Sequence, residues 1–329
     1  MIKSAARRFI LAREGILFLA LLLMVIAFSL TVDGFLDAAS ILRRSRYWVA
    51  TGMVAAPMTF IIATAGIDLS VGSIVALAGM SLGLLYGDAG WPIAAAAAAA
   101  IGVGTLAGAF NGGVSSYLRV PPLVVTLATM ALFRGIAMGL SQARSIGGFP
   151  DGFRYLDRGN ALDLFGAGQY FELPVSLVAM LFVFVFGALL LRRTWIGRFS
   201  QCLGENETAA SFAAIDVRKM KWALYTAMGT VCGVAALFHT ALYGTAKADT
   251  AAGMELEAIA CVVVGGTRIS GGHASVLGTL LGLLIIGMLR YGLEMAGVRS
   301  QNVIIFVGVL LIATAVFNEA MAARTGGSK

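Results

Sequence analysis

Long runs of apolar residues, each about as long as a lipid bilayer is thick, dominate this chain. A membrane-spanning helix needs about 20 consecutive apolar residues, and such runs recur from residues 15–32 to residues 302–317. Only 12% of the 329 residues are charged, whereas soluble domains carry about 25%. The sequence therefore predicts an all-α polytopic membrane protein, with a single transmembrane domain over residues 1–329.

Ten of these runs are predicted to span the membrane, and some are broken by Gly-rich segments. They cover residues 15–32, 47–65, 74–86, 92–115, 123–140, 174–191, 222–243, 258–264, 274–289 and 302–317. The fourth run is mostly Ala and Gly, which let helix backbones approach closely. We therefore expect the fourth span to be buried among other helices.

The basic residues lie at the ends of the apolar runs, a pattern that sets membrane orientation. With both termini placed inside, 14 of the 24 basic residues fall on the inner side and nine on the outer side. Arg43, Arg44 and Arg46 are the main exception to this bias, and Arg134 lies within a span, from which it could reach the outer surface. The basic residues do not form one continuous stripe, so the net charge of +7 does not indicate a nucleic-acid partner.

Two breaks in the apolar runs, at residues 66–73 and 265–272, are the candidate gate. Irregular backbone persists at membrane depth only where protein or a polar cavity satisfies its hydrogen bonds. The candidate gate residues are Asp68, Ser70, Gly72, Gly265, Gly266, Arg268, Gly271 and Gly272. The breaks also echo each other 200 residues apart, which would put Asp68 and Arg268 in equivalent places. Tight glycine packing is the alternative role for the second break, and helix capping is the alternative for Asp68.

The sequence shows no catalytic or metal-binding constellation. Its three cysteines have no metal-ligand spacing, and its two histidines stand alone. Residues 265–272 do not form a phosphate loop, because no Gly-Lys-Ser/Thr follows them. We therefore expect a protein that is not an enzyme, has no catalytic residues, bound metal or cofactor of its own, and depends on a partner for energy.

A charged stretch between two apolar runs, residues 192–221, is the candidate coupling segment. It holds six basic residues and a short Ala-rich helix predicted over residues 207–214. The helical spacing of Ala209, Ala210, Ala213 and Ala214 places them on one narrow face. Such a face could enter a groove on a partner, with Glu205, Asn206 and Glu207 at the rim. The plain alternative is a solvated loop whose charges only set topology.

Three segments carry a resemblance to a known family. The chain resembles the permease subunits of bacterial carbohydrate ABC importers, in the ribose, rhamnose and autoinducer-2 branch. The matching segments are IDLSVGS at 67–73, GENETAASFAAIDVRK at 204–219 and AGMELEAIACVVVGGTRISGG at 252–272. One departure is Ala214, where the family usually has Gly, so the coupling helix is expected to run on further.

The resemblance implies an ATP-driven importer that takes a small sugar or sugar-like solute, such as rhamnose, autoinducer-2 or ribose, into the cytoplasm. The chain would lie in the bacterial inner membrane with both termini cytoplasmic, paired with itself or a close relative. Cytosolic ATPase subunits would bind the ATP and contact residues 205–215, which end at Ile215. A periplasmic solute-binding protein would dock on the outer side.

A transporter driven by an ion gradient is the competing interpretation. Such a protein is expected to carry buried carboxylates, His relays or charged pairs inside its spans. Apart from Arg134, the predicted spans are almost free of charge. The sequence therefore favours an importer whose energy comes from a separate subunit.

Overall fold

The computed structural model is all-helical over the residues that it describes. These are residues 2–165, 172–213 and 215–299, with 302–303, 305–309, 312–314 and 316 in a last helix. Side chains are described from residue 14, apart from residues 164–165, and Ala214 lies outside the described residues. Within this part of the chain, β-pairing is limited to isolated bridges of Ile146 with Ala246 and Asn160 with Pro174. The predicted all-α class is confirmed.

Apolar runs and local caps set the bounds of the helices. They are α1 (Ile2–Thr31), α2 (Ala38–Ala63), α3 (Val71–Gly83), α4 (Ile93–Tyr117), α5 (Pro122–Ser141), α6 (Asp151–Arg158), α7 (Val175–Arg193), α8 (Trp195–Glu205), α9 (Glu207–Phe212), α10 (Val217–Tyr243), α11 (Met254–Val264) and α12 (Val276–Met295). A π-helical turn, Leu84–Asp88, extends α3. A 3₁₀ turn, Ala161–Phe165, follows α6.

The helices form a bundle with two ends, which we name the α9 end and the α6 end. At the α9 end, Ser275 donates a hydrogen bond of 2.6 Å to buried Glu14 of α1, and Arg192 pairs with the same carboxylate at 3.4 Å. At the α6 end, Arg46 of α2 faces Asp157 of α6 at 3.8 Å. These contacts place the first residues of α12 at the α9 end and the first residues of α2 at the α6 end.

Two parts of the chain have the same order of elements but run through the bundle in opposite directions. Each consists of a long helix, an irregular segment that turns back into the bundle, and a short helix. In the first part, α2 ends at the α9 end, residues 64–70 turn back into the bundle, and the short helix α3 completes the return to the α6 end. In the second part, α10 ends at the α6 end, residues 244–253 turn back inward, and α11 completes the path to the α9 end. The structure thus contains an inverted repeat, with α4 and α12 as the last members of its two halves.

Glycines on α4 and α10 bring these two helices into backbone contact. A Cβ built at Gly104 would lie 2.8 Å from the nitrogen of Gly233, and one at Gly108 would lie 2.8 Å from the Cα of Gly229. Small residues four apart on facing helices are a common basis of close packing in membranes. The opposite face of α4 is exposed, as Leu106 and Phe110 show. The fourth span therefore packs against α3, α5 and α10, as expected of a helix among other helices, and leaves one face exposed in the single chain.

Seven described helices are long and apolar enough to cross a membrane. They are residues 14–31, 71–88, 93–117, 122–141, 175–193, 217–243 and 276–295. Three of the ten predicted spans are missing from this set: the one in α2, the one in α11 and the last one. The helix α2 has 26 residues, or about 39 Å of length, but α11 has only 11. A polytopic all-α protein is therefore shown, and the number ten stays a prediction.

The contact between α4 and α10 gives a direct test of the packing. We expect Gly108→Ala to lower the free energy of unfolding by about 1–3 kcal/mol, because the new methyl group would meet backbone atoms of Tyr225 and Gly229. Gly102→Ala on the same helix is the matched control, since nothing lies within 4 Å of its Cβ position. Thermal unfolding of both variants in one detergent checks this, and equal melting temperatures would contradict the packing.

Candidate functional site

The first break begins where α2 ends in a reversed turn. Ala65 has a positive φ of 59°, and the amides of Ala65 and Gly66 donate to the carbonyls of Ile62 and Ile61 at 2.9 and 3.0 Å. This pattern of hydrogen bonds ends a helix and satisfies its last carbonyls. The chain can therefore turn back toward the interior at Gly66 without leaving buried backbone groups unpaired.

The second break begins with the same kind of turn after α11. Gly266 has a φ of 90°, and the amides of Gly266 and Thr267 donate to the carbonyls of Val263 and Val262 at 2.9 and 3.2 Å. Ala65 and Gly266 thus hold equivalent positions in the two turns. These two turns are 201 residues apart, whereas the residues that match in the sequence are 200 apart. The sequence echo therefore does not align the two turns.

Asp68 and Arg268 also lie in different surroundings. Asp68 is buried, while Arg268 is exposed in a turn where its carbonyl accepts from the amide of Gly271 at 3.0 Å. No ion pair between the two is found among the residues that the structure describes. The predicted equivalence of these two charges is therefore not observed.

A buried polar network holds the start of α3. Asp68 Oδ1 accepts from the amide and the hydroxyl of Ser70 at 2.9 and 2.6 Å. The Ser70 hydroxyl in turn accepts from Asn111 Nδ2 of α4 at 2.7 Å. Asp68 therefore orders the turn before α3 and ties it to α4. Asn111 is a site residue that the sequence did not indicate, because a lone Asn in an Ala-rich run has no readable partner.

The N-termini of α3 and α11 meet inside the bundle at Gly72. A Cβ at Gly72 would overlap the carbonyl oxygen of Ala251 and the carboxylate of Glu255. Glu255 Oε1 also accepts from the amide of Gly253 at 3.1 Å. Helix N-termini carry partial positive charge, so one carboxylate is well placed to stabilise both. In the sequence, Glu255 lies between the predicted spans 222–243 and 258–264, and the fold brings its carboxylate to the start of α3.

Arg134 holds the extended segment before α11. Its Nη1 donates to the carbonyls of Ala248 and Thr250 at 2.8 and 2.6 Å. Apart from the bridge of Ala246 with Ile146, residues 244–253 have no β-pairing among the described residues, so the carbonyls of Ala248 and Thr250 need a donor from elsewhere. Arg134 is therefore directed into the protein, and the expectation that it could reach toward the surface is wrong.

The coupling segment folds into two short helices, α8 and α9. Asn206 separates them and caps α9, since its Oδ1 accepts from the amide of Ala209 at 2.9 Å. Glu207 pairs with Lys221 of α10 at 2.6 Å. Asp216 caps α10, and the hydrogen bond from the amide of Lys219 lowers the pKa of its carboxyl. Charged residues of this stretch thus fix its geometry relative to α10.

The alanines of α9 do not form one exposed face. Ala210 is buried at 5% exposure, whereas Ala209 and Ala213 are exposed. The helix ends at Phe212, with Ala213 as its C-cap, so the expectation of a longer helix is wrong. Ile215 is half-buried, and its amide donates to the carbonyl of Ala210 at 3.3 Å.

An exposed aromatic residue stands at the end of this helix. Phe212 is 87% exposed, the largest exposed fraction among the described large apolar side chains. It lies next to the charged residues of the α9 end rather than in a long apolar helix. Aromatic residues are enriched at protein interfaces, so Phe212 is a candidate contact residue for a partner. The sequence analysis did not single out Phe212, because the exposure of its side chain depends on how α9 packs in the fold.

The end of α2, which leads into the first break, and the second break both touch the coupling segment at Gly204. A Cβ at Gly204 would overlap the carbonyl oxygen of Ala63 and the amide of Gly272, and it would lie 2.9 Å from the Cα of Gly271. The amide of Gly272 also donates to the carbonyl of Ala63 at 3.0 Å. Three backbone segments therefore pack directly on one another, with no side chain between them. The candidate gate residues Gly271 and Gly272 are in contact with the coupling segment.

The other candidate gate residues are spread along the bundle. Gly265 packs against the backbone of Gly278 on α12, where a Cβ would meet the amide of Thr279 at 2.5 Å. Ser70 and Gly72 lie at the start of α3, away from the coupling segment. The structure thus separates the predicted gate into a group at the α9 end and a group inside the bundle.

Comparisons with known proteins give one consistent family. Residues 40–315 match the family described as branched-chain amino acid transport system / permease component. The autoinducer 2 import system permease protein LsrD of Photorhabdus luminescens is 36% identical over 298 residues, which cover 89% of this chain and 86% of that protein. LsrD of Escherichia coli strain K12 is 36% identical over 302 residues, which cover 90% and 88%. No solved structure matches the chain.

The role of Arg134 can be tested without any assay of function. We expect Arg134→Met to speed amide exchange in residues 246–253 by about tenfold or more, because hydrogen bonds to a charged donor are lost. Arg144→Met is the control, since Arg144 forms an exposed pair with Asp88 at 3.0 Å. Hydrogen–deuterium exchange with mass spectrometry measures the exchange rates in both variants. Unchanged exchange in residues 246–253 of Arg134→Met would show that the hydrogen bonds from Arg134 do not hold this segment.

Proposed function

The chain belongs to the family of ABC-importer permeases, and we propose that it imports a small sugar-like solute into the cytoplasm on energy supplied by a separate ATPase. The relatives named LsrD suggest autoinducer-2 as the first solute to test, with rhamnose and ribose next. We place the ATP in the partner subunit, and a second permease, either the same chain or a relative, beside this one in the membrane.

The contact at Gly204 is the observation that supports this mechanism most directly. A partner that moves α8 and α9 must also move the backbone that packs on Gly204, since there is no flexible side chain to absorb the shift. That backbone belongs to the ends of α2 and of the loop before α12. Force applied at the coupling segment would therefore reach both breaks at once.

The sides of the membrane follow from the charge bias and the coupling segment. We assign the α9 end to the cytoplasm, where the ATPase would bind, and the α6 end to the periplasm, where a solute-binding protein would dock. We also propose ten crossings. Residues 64–88 and 244–264 each cross once as an extended segment followed by a short helix. The extended part adds to the length of the crossing, so the 11 residues of α11 are only part of the segment that spans the membrane.

Buried charge is the observation that bears on the ion-gradient alternative. The sequence predicted spans that are nearly free of charged residues. In the structure, Asp68, Glu255 and Arg134 nevertheless lie within the bundle. Each of them has a role in holding backbone: Asp68 at the turn before α3, Glu255 at two helix N-termini and Arg134 at the segment before α11. Structural roles account for these charges, and the family favours ATP as the energy source.

Reconstitution tests the energy source. The permease, its ATPase and its solute-binding protein are placed in liposomes with ATP inside, and with labelled solute and binding protein outside. We expect uptake that stops when ATP is replaced by a non-hydrolysable analogue and that is unaffected by ionophores. Uptake that persists without ATP hydrolysis and collapses with an ionophore would establish the gradient-driven alternative instead.

Phe212 provides the sharpest test of the coupling segment. We expect Phe212→Ala to weaken binding of the ATPase by about 30-fold, the effect typical of a buried aromatic anchor. Phe182→Ala is the matched control, because Phe182 is also an exposed aromatic residue, at 70%, but lies on the apolar helix α7. Ala210 is unsuitable as a probe, since the chain itself buries it.

The measurement is titration of detergent-solubilised permease with labelled ATPase. Both variants should elute as single species with the melting temperature of the wild type, since neither side chain is buried. If Phe212→Ala and Phe182→Ala bind the ATPase with equal affinity, Phe212 is not part of the interface.

A further inference from the structure

A basic pocket opens at the α9 end, between the end of α4, the start of α5 and the start of α10. It has a volume of about 600 Å³, and residues of α9 line one side of it. The charged residues of its lining are Arg119, Arg218, Lys221 and Glu207. Three basic side chains against one carboxylate leave an excess of positive charge, so the pocket is suited to an anion.

Two of these cations have no carboxylate partner. The side chains of Arg119 and Arg218 are exposed, and neither forms an ion pair within the part of the chain that the structure describes. Lys221, by contrast, pairs with Glu207 at 2.6 Å. The arginine cluster at the start of α2 differs in the same way, because each of its members faces a carboxylate. The charges of Arg119 and Arg218 are therefore available to a ligand.

The backbone fixes Arg119 between α4 and α5. Leu118 is the C-cap of α4, and Arg119 follows it with a left-handed φ of 58°. The residue in this conformation after a helix is usually Gly, because a side chain is strained there. Here an arginine takes that place and brings its guanidinium to the pocket. Pro122, the first residue of α5, also lines the pocket, and the N-terminus of that helix adds partial positive charge.

The surface beside the pocket is apolar and exposed. Tyr117 and Leu118 at the end of α4 and Trp222 on α10 are exposed. A Cβ at Gly113 of α4 would lie 4.0 Å from Cδ1 of Trp222, so this ring lies beside α4 just before the helix ends. Tyr and Trp are enriched at the headgroup level of a membrane. The pocket thus lies where a lipid headgroup can reach it, and the exposed Phe110 extends the apolar surface along α4.

We propose that this basic pocket binds the phosphate group of an anionic phospholipid. Arg119 and Arg218 hold the phosphate oxygens, and the exposed hydroxyl of Thr208 is a further donor. The planar fork of arginine matches the oxygens of a phosphate, and basic pockets between membrane helices on the cytoplasmic side bind anionic headgroups. A soluble phosphate ester has the same charged group, but it lacks the acyl chains that would cover the neighbouring apolar surface.

Lys221 connects the proposed lipid to the coupling segment. Its Nζ pairs with Glu207, the first residue of α9, and both residues line the pocket. A phosphate in the pocket would attract the same ammonium group, so the lipid would influence how α9 is held on α10. The site itself depends neither on the solute nor on the ATPase, because it is defined by residues of this chain and by the membrane surface.

The test is lipid binding to the full-length permease alone, purified in detergent and titrated under native mass spectrometry. Phosphatidylglycerol is the anionic lipid, phosphatidylcholine is the zwitterionic lipid, and glycerol phosphate carries the phosphate without acyl chains. We expect phosphatidylglycerol to bind at least about tenfold more tightly than either of the others. Equal affinities of the two lipids would overturn the proposal. So would glycerol phosphate that binds as tightly as phosphatidylglycerol, because the pocket would then serve a soluble ester.

Variants locate the bound lipid. Arg119→Gln combined with Arg218→Gln should weaken binding of phosphatidylglycerol by about tenfold or more, and Arg119→Lys combined with Arg218→Lys should retain most of the affinity. Lys219→Gln is the matched control, because Lys219 is exposed, pairs with Asp216 at 3.1 Å and lies outside the pocket lining. Equal effects of the double glutamine variant and of Lys219→Gln would overturn the site.

An acidic surface of the ATPase is the alternative occupant of the pocket. If the double glutamine variant binds the ATPase more weakly but binds phosphatidylglycerol as the wild type does, the pocket belongs to the protein interface and the proposal is wrong. Lipid binding is measured on the permease alone. Its failure would therefore leave ATP-dependent uptake by the reconstituted importer untouched, and a failure of that uptake would leave the lipid site standing.

Discussion

Backbone amides and carbonyls that are removed from water must find partners within the protein, and the rest of this structure depends on how two interrupted helices meet that requirement. At the ends of α2 and α11, reversed turns satisfy the last carbonyls of each helix. Beyond those turns the partners differ. Asp68 orders the turn before α3, and the guanidinium of Arg134 serves two carbonyls before α11. Charged groups inside the bundle therefore stabilise irregular backbone.

Glycine lets backbone segments of different helices and loops contact each other directly. At Gly204 and Gly272, and again along α4 and α10, backbones touch with no side chain between them. A side chain between two segments can change rotamer and absorb a small displacement, but packed backbones cannot. The short helix α8 is consequently in direct backbone contact with the end of α2 and with the second break, while Phe212 on α9 is exposed. This arrangement suits a subunit that receives its energy from outside.

The two ends of the bundle have different chemistry. The α9 end carries direct backbone contacts, a short capped helix and an exposed aromatic ring. The α6 end carries ion pairs around a polar cavity. The α9 end is therefore suited to a protein partner that moves. The inverted repeat gives each end one short helix, α11 at the α9 end and α3 at the α6 end.

The sequence alone determined the helical class and the positions of both breaks, because each depends on local hydrophobicity and on short polar or Gly-rich interruptions of it. It also singled out residues 192–221, the candidate coupling segment, by their charge. Only the tertiary structure decided that Ala210 is buried and Phe212 exposed, since a helical period defines a face without saying what covers it. The same holds for Glu255 and Arg134. Their roles come from contacts with residues distant in the chain, and a single sequence carries no signal of such contacts.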